Sequence, residues 1–175
     1  MEMLGVTDLI VRPAAGEEKA DLSLPPPLLC TTLAEGKARE IAADAEADDV
    51  VIAADTIVVH AGSVYGKPHS AEEAADMLRA LSGSTHEVYT GVCVIRNGRS
   101  LCRADRSCVT FRALSDGEIA RYIATGEPMD KAGAYGAQGK AALFVERIDG
   151  DFFNVMGLPL CMLGEMLKEQ GVELL

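Results

Sequence analysis

The stretch VVIAADTIVV, residues 50–59, sets one acid, Asp55, in the middle of an apolar run with β-branched ends. Such a run reads as a buried strand, and carboxylates are rarely buried without a partner. A carboxylate capped by backbone donors at a strand end is one account of it. The apolar run continues past Asp55, however, and small Ala53 and Ala54 leave room for something to approach, which favours a functional acid. A second candidate is Lys67 in Tyr65-Gly66-Lys67-Pro68. Gly66 permits close backbone approach and Pro68 stiffens the exit. A solvated loop lysine is the commoner case, but a Gly-Lys-Pro just after an acid-bearing strand is suggestive of a ligand contact. Lys37 lies mid-helix beside Ala34 and Ala38 and reads, by itself, as a side chain whose stem lies along the helix while its head reaches water. Glu17-Glu18 reads as a solvated acid pair in a loop.

The most unusual stretch is DKAGAYGAQG, residues 130–139, with glycines at 133, 136 and 139. The spacing does not match a dinucleotide fingerprint or a P-loop, and no helix start follows it closely. Glycines at this density expose backbone N–H groups that can form an anion-binding nest. The alternative is a flexible loop; Tyr135 and Gln138 within it argue for a shaped loop that holds a ligand. The histidines, His60, His69 and His86, show no i, i+4 metal pattern, and His86 either orients a neighbour or caps a turn. There is no Gly-x-Ser-x-Gly elbow and no cysteine in an activating context, so nucleophilic catalysis is not expected.

Several elements must position these residues. Met1–Gly5 resembles the end of a helix, and DLIVR (8–12) reads as a short strand. The segment 14–29 is polar and then proline-rich. A helix is expected from Thr31 or Thr32 to about Glu46, followed by the Asp55 strand and a helix opened by Ser70 and Glu73 as a capping box. Residues 87–96 and 100–111 form two strands around Asn97-Gly98, a hairpin signal. Ser115 and Glu118 open another helix, LFVERI and FFNVM flank a second hairpin turn at Asp149-Gly150, and Pro159 begins a closing helix to about Glu169. This is an α/β pattern with a mixed sheet flanked by helices rather than a purely parallel one.

The 175 residues suffice for one domain, and no linker or repeat divides them, so a single domain over 1–175 is expected. The net charge of −11 argues against a nucleic-acid partner, which needs a basic footprint. It also means that cations for a small anionic substrate must be concentrated locally. Five cysteines without metal spacing favour free thiols in a reducing compartment. No signal peptide or membrane-length apolar run is present, so a cytoplasmic location with no membrane partner is expected.

The ordered set AADTIVV, YGKP, LSGSTHEVYTGV and VTFRALSDGEIARYIATGEPMDKAGAYGAQGKAALFVERIDGDFFNVMGLPL closely resembles the Maf family of nucleoside triphosphate pyrophosphatases. The resemblance covers essentially the whole chain, is dense from Asp49 to Leu160, and is specific in its combination of motifs. AADT together with Gln138 resembles the branch acting on dTTP and UTP rather than the sister branch associated with 7-methyl-GTP. The resemblance implies a Maf/inosine triphosphate pyrophosphatase-like fold and a homodimer. It implies Asp55 as the catalytic proton acceptor, Thr56 and Gln138 as base-selecting positions, and Lys37 and Lys67 as phosphate contacts. It also implies Glu18 as an acid near a divalent metal, Mg²⁺ or Mn²⁺. A carboxylate with an ordinary pKa of ~3.9 is a weak base, so Asp55 is expected to position or deprotonate a metal-bound water rather than act alone. The family pattern opens with a strand and a Ser-x-Ser-Pro-Arg-Arg loop that are not matched here, so the chain reads as N-terminally short. The alternative expectation is therefore a catalytically weakened nucleotide-binding or cell-division regulatory protein.

Overall fold

A computed structural model of the chain describes residues 4–6, 8–15, 20–46 and 48–174. Ten elements follow in order: α1 (Pro26–Ala42), β1 (Val51–His60), β2 (Ser63–Tyr65), α2 (Ala71–Leu81), β3 (Thr85–Arg96), β4 (Arg99–Phe111), α3 (Asp116–Ile123), β5 (Val145–Asp149), α4 (Phe152–Val155) and α5 (Leu160–Glu169). The strands form one sheet in the order β2-β1-β3-β4-β5, flanked by helices as the sequence pattern predicts. All four pairings are antiparallel, so the parallel part of a mixed sheet is not among the described strands.

Alternation along β1 divides its side chains between two layers. Val51, Ala53, Ile57 and Val59 pack on the α1 side, against Leu29, Cys30, Ala34 and Ala38. Ile52 and Ala54 pack on the other side, against Leu163, Met166 and Leu167 of α5. A larger apolar cluster beneath α2, α3 and the 130–144 loop holds Leu78, Leu81, Phe111 and Phe144. Among the described residues no helix is long and apolar enough to cross a membrane. The five cysteines are all free thiols.

α1 departs from the expected span by starting at Pro26 and ending at Ala42. The prolines at 25–27 do not exclude the helix but begin it, because first-turn N–H groups have no intrahelical partner to lose. Ser70 and Ser115 cap their helices and the Ser115–Glu118 box is complete in both directions, but the expected Ser70–Glu73 box is not, because the Glu73 carboxylate accepts from His69 N instead. DLIVR forms no strand: no described strand pairs with 8–12, and Ile10 and Val11 stay exposed. FFNVM is likewise not a strand. Asp151 accepts a hydrogen bond from Phe153 N at 2.8 Å and caps α4, so Asp149-Gly150 links a strand to a helix.

Candidate active site

β2 pairs only with Val58–His60, and no described strand covers the same edge of β1 upstream of Val58. A cleft of about 730 Å³ wraps around this open edge. Because neighbouring β1 residues face opposite layers, Asp55 and Thr56 enter the cleft from opposite faces of the sheet. The cleft therefore has a charged end under α1 and a second end formed by Thr56, the 130–139 loop and the α4 turn.

At the charged end, Lys37 Nζ donates to Asp55 Oδ1 at 2.5 Å, with the two side chains 24% and 11% exposed. The lysine read as a snorkelling side chain is thus drawn onto the strand acid. The cause lies on the neighbouring strand. Gly91 sits opposite Asp55 in the β1–β3 register, and a Cβ there would stand 2.3 Å from the Cys30 carbonyl carbon. The absent side chain lets α1 lie directly on the sheet, and Lys37 follows Cys30 by two helical turns on the same side. Burial first, and then the Asp55 carboxylate, push the Cys30 thiol up to about 12. Cys30 stays protonated and is no nucleophile, as expected for this chain.

Lys67 reaches the cleft from the turn after β2, next to His69, and Lys131 reaches it from the glycine-rich loop. Lys131 Nζ donates to Asp130 Oδ1 at 2.8 Å, and that hydrogen bond is the main cause holding the Asp130 carboxyl below its usual range. Gln138, exposed at the loop, lines the same cleft. Lys37, Asp55, Thr56, Lys67 and Gln138 are therefore gathered around one cleft. Glu18 lies outside the described residues.

The glycine-rich loop is shaped, and its three glycine amides do not form an anion nest. Its N–H groups are used inside the protein: Gly133 donates to Gly66 O, Gly136 to the Tyr122 hydroxyl, Gly139 to Gly136 O, and Lys140 to the Glu127 carboxylate. Tyr135 is a buried anchor. Its hydroxyl lies 2.8 Å from His86 Nε2, and its ring packs edge-on against His86 and Phe111. His86 therefore orients a neighbour, one of its two expected roles. Its glycine amides are thus spent inside the protein, and the loop presents Lys131 and Gln138 side chains to the cleft.

Sequence reasoning missed Thr90 and Asn154, both fully buried behind Thr56. The one signal for Asn154 was a polar residue inside the apolar run FFNVM. Among the described residues no group of three or more His, Cys, Asp or Glu side chains is arranged to hold a metal.

The family model for Maf-like proteins matches residues 1–170. The dTTP/UTP pyrophosphatase of Moorella thermoacetica is 48% identical over 165 residues, covering 93% of this chain and 84% of the relative. That of Pelotomaculum thermopropionicum is 45% identical over an alignment of 177, covering 100% and 92%. That of Alkaliphilus metalliredigens is 51% identical over 146 residues, covering 82% and 76%. With a family match over nearly its whole length and relatives of this identity, the chain belongs to the Maf family.

Proposed function

We propose that this protein is a hydrolase, a nucleoside triphosphate pyrophosphatase that converts dTTP and UTP to the nucleoside monophosphate and pyrophosphate and so cleanses the nucleotide pool. The observation that carries the reading is the cleft around the β1 edge, which brings an acid, lysines from three separate segments and a glutamine together. Relatives named dTTP/UTP pyrophosphatase at 45–51% identity support the substrate pair.

In this reading Asp55 orients the attacking water and accepts a proton from it as the water oxygen bonds to the α-phosphorus. The bond from the α-phosphorus to the bridging oxygen breaks, and pyrophosphate leaves. Lys37 holds the Asp55 carboxylate aimed until substrate enters, then shares its charge with the phosphates. Lys67 and Lys131 stabilise charge growing on the leaving group. Gln138 carries both a donor and an acceptor for a pyrimidine edge, and Thr56 faces the base from the other side of β1.

Carboxylate oxygens are the ligand type of a hard divalent cation, and Mg²⁺ or Mn²⁺ is part of this reading. Mg²⁺ keeps several waters and usually takes one or two carboxylates together with substrate phosphates, so no dedicated cage is required. Asp55 would hold it, with Glu18 as the second acid that the family resemblance implies. When bound, the ion neutralises charge on the phosphates. We further infer a homodimer in the cytoplasm. Free thiols fit a reducing compartment, and light scattering at twice the 18.5 kDa chain mass checks the dimer.

The test is pyrophosphate release from dTTP and UTP with Mg²⁺ or Mn²⁺, wild type against Asp55→Asn. Turnover by the wild type and its loss in the variant are expected. A folded wild type inert on both nucleotides overturns the reading.

A further inference from the structure

Thr56 and Thr90 stand opposite each other in the β1–β3 register, with their hydroxyl oxygens 2.9 Å apart. Thr90 is fully buried, and its Oγ1 also lies 2.9 Å from the Asn154 carbonyl oxygen. A carbonyl oxygen only accepts, and a threonine hydroxyl carries one proton. That proton is spent on Asn154, so Thr56 must be the donor in the Thr56–Thr90 bond. The Thr56 proton therefore points into the protein, and only lone pairs on its Oγ1 remain for the cleft.

The rest of the network holds this polarity in place. Asn154 Nδ2 donates to Val88 O at 3.1 Å and to Ser107 Oγ at 3.0 Å, and Ser107 Oγ donates to Asp151 O at 2.9 Å. Each of these bonds has one possible direction, and together they pin the α4 turn to β3 and β4, while the Asn154 side-chain oxygen Oδ1 stays buried with no partner among the described residues. The turn leaves at Gly157, with φ near +100°, where a Cβ would stand 3.2 Å from Thr56 Oγ1. The backbone of the turn thus lies against the hydroxyl whose direction Thr90 sets.

Resting on the pyrimidine nucleotide reading, we infer that the buried Thr90–Asn154 relay makes Thr56 an acceptor-only group and thereby sets the base preference of the cleft. Such a group takes a base that presents an N–H to it. In a uracil or thymine joined to its sugar through N1, N3–H is the only ring N–H. A cytosine seated in the same way brings the lone pair of its N3 against the lone pairs of Thr56. Thr90 does not line the cleft, so it is a positioning residue that acts through Thr56.

The experiment compares kcat/KM for UTP and CTP in the wild type, Thr90→Val, Thr90→Ser and Thr56→Val. The wild type prefers UTP. Thr90→Val keeps the side-chain shape but frees the Thr56 hydroxyl to donate, so the UTP/CTP ratio falls by about tenfold or more, through KM and with kcat on UTP retained. Thr90→Ser restores the ratio. A Thr90→Val protein with wild-type circular dichroism and an unchanged ratio overturns the relay. Thr56→Val leaves the buried Asn154 carbonyl its partner and guards against misfolding. It should raise KM for UTP and spare CTP, and an equal loss on both nucleotides counts against the relay. The functional reading fails separately, if the wild type releases pyrophosphate from neither UTP nor dTTP. The relay is then read from calorimetric Kd values for UMP and CMP. Loss of the wild-type ratio in Thr90→Val upholds it, and an unchanged ratio or no binding overturns it.

Discussion

Asp55 and Thr56 are consecutive, yet they belong to different environments. On the α1 face of β1, a helix laid close on the sheet brings one lysine to one carboxylate, and both side chains keep some contact with solvent. On the opposite face, Thr56 sits before a fully buried neutral network that runs from Thr90 through Asn154 to Ser107. The charged pair can exchange partners when a polyanion arrives, because rotating a partly solvated lysine costs little. The neutral network has no such freedom, since each buried donor or acceptor it released would lose about 1–3 kcal/mol. In the proposed reading one face carries chemistry on charged groups, and the other carries discrimination between bases. Both residues line one cleft at the open edge of β1.

The largest expected effect falls on the charged face. Asp55→Asn should lower kcat by about a thousandfold, within the range for loss of a general base, with little change in KM. A KM effect of that size with kcat preserved would mean that Asp55 only binds. Gly91→Ala comes next and attacks the same pair from behind. Its Cβ would lie 2.3–2.4 Å from the backbone of Cys30 and Thr31, which cannot move without lifting α1. The expected cost is about 3 kcal/mol or more in stability by denaturant melt, with a fall in kcat as Lys37 leaves Asp55. A Gly91→Ala protein with wild-type stability and turnover would remove the close helix approach from the account.

These two residues differ in how readable they were. Asp55 announced itself, because a lone acid in a β-branched run conflicts with ordinary burial. Lys67 and Gln138 lay in glycine-containing loops whose composition alone departs from that of solvated linkers. Lys37 carried no such signal. Its role depends on how closely α1 approaches β3, which Gly91 decides more than fifty residues later in the chain. The expected start at Thr31 or Thr32 misses the first turn of α1, which the prolines at 25–27 begin, since local propensity cannot tell the first turn from an interior position. Asn154 was hidden in a run whose aromatic and β-branched residues favour strand. The Asp151 cap and the buried hydrogen bonds of the Asn154 amide override that preference. The antiparallel core of the sheet was legible from Asn97-Gly98 and the alternation around it, because hairpin pairing is a local event.

A third effect, slightly smaller, loosens only the side of the cleft that carries Gln138. The loop that carries Gln138 is anchored through Tyr135 to His86, whose pKa is lowered to about 4, chiefly by burial and then by the charge of His60. His86 Nδ1 is buried with no hydrogen-bond partner among the described residues, so protonation has nothing to pair with. Unfolded, the same imidazole titrates near 6.5, so between these values the unfolded chain binds more protons than the folded one. Stability from this group is complete above about pH 6.5 and is lost as pH falls towards 4, by about 3 kcal/mol in all. Denaturant melts from pH 7 to 4 should show this slope in the wild type and a flatter one in His86→Gln. Equal slopes would remove His86 as the anchor.

The smallest effect tests the selecting side without disturbing the fold. Gln138 is exposed, so Gln138→Ala should change stability by no more than about 0.5 kcal/mol. It removes the amide N–H that can donate to a ring carbonyl of the base. One lost hydrogen bond to the base corresponds to about a tenfold rise in KM for UTP and dTTP, with kcat within about twofold of the wild type. Gln138→Glu should cost more, because a carboxylate cannot donate and faces the carbonyl oxygens of the base with a negative charge. The two substitutions together ask whether the loop reads the base or aligns the phosphates. If it reads the base, both act on KM, and the order of severity follows the loss of the donor. If kcat falls in step with KM instead, Gln138 is coupled to the Lys37–Asp55 pair across β1, and the separation of chemistry from selection between the two faces fails.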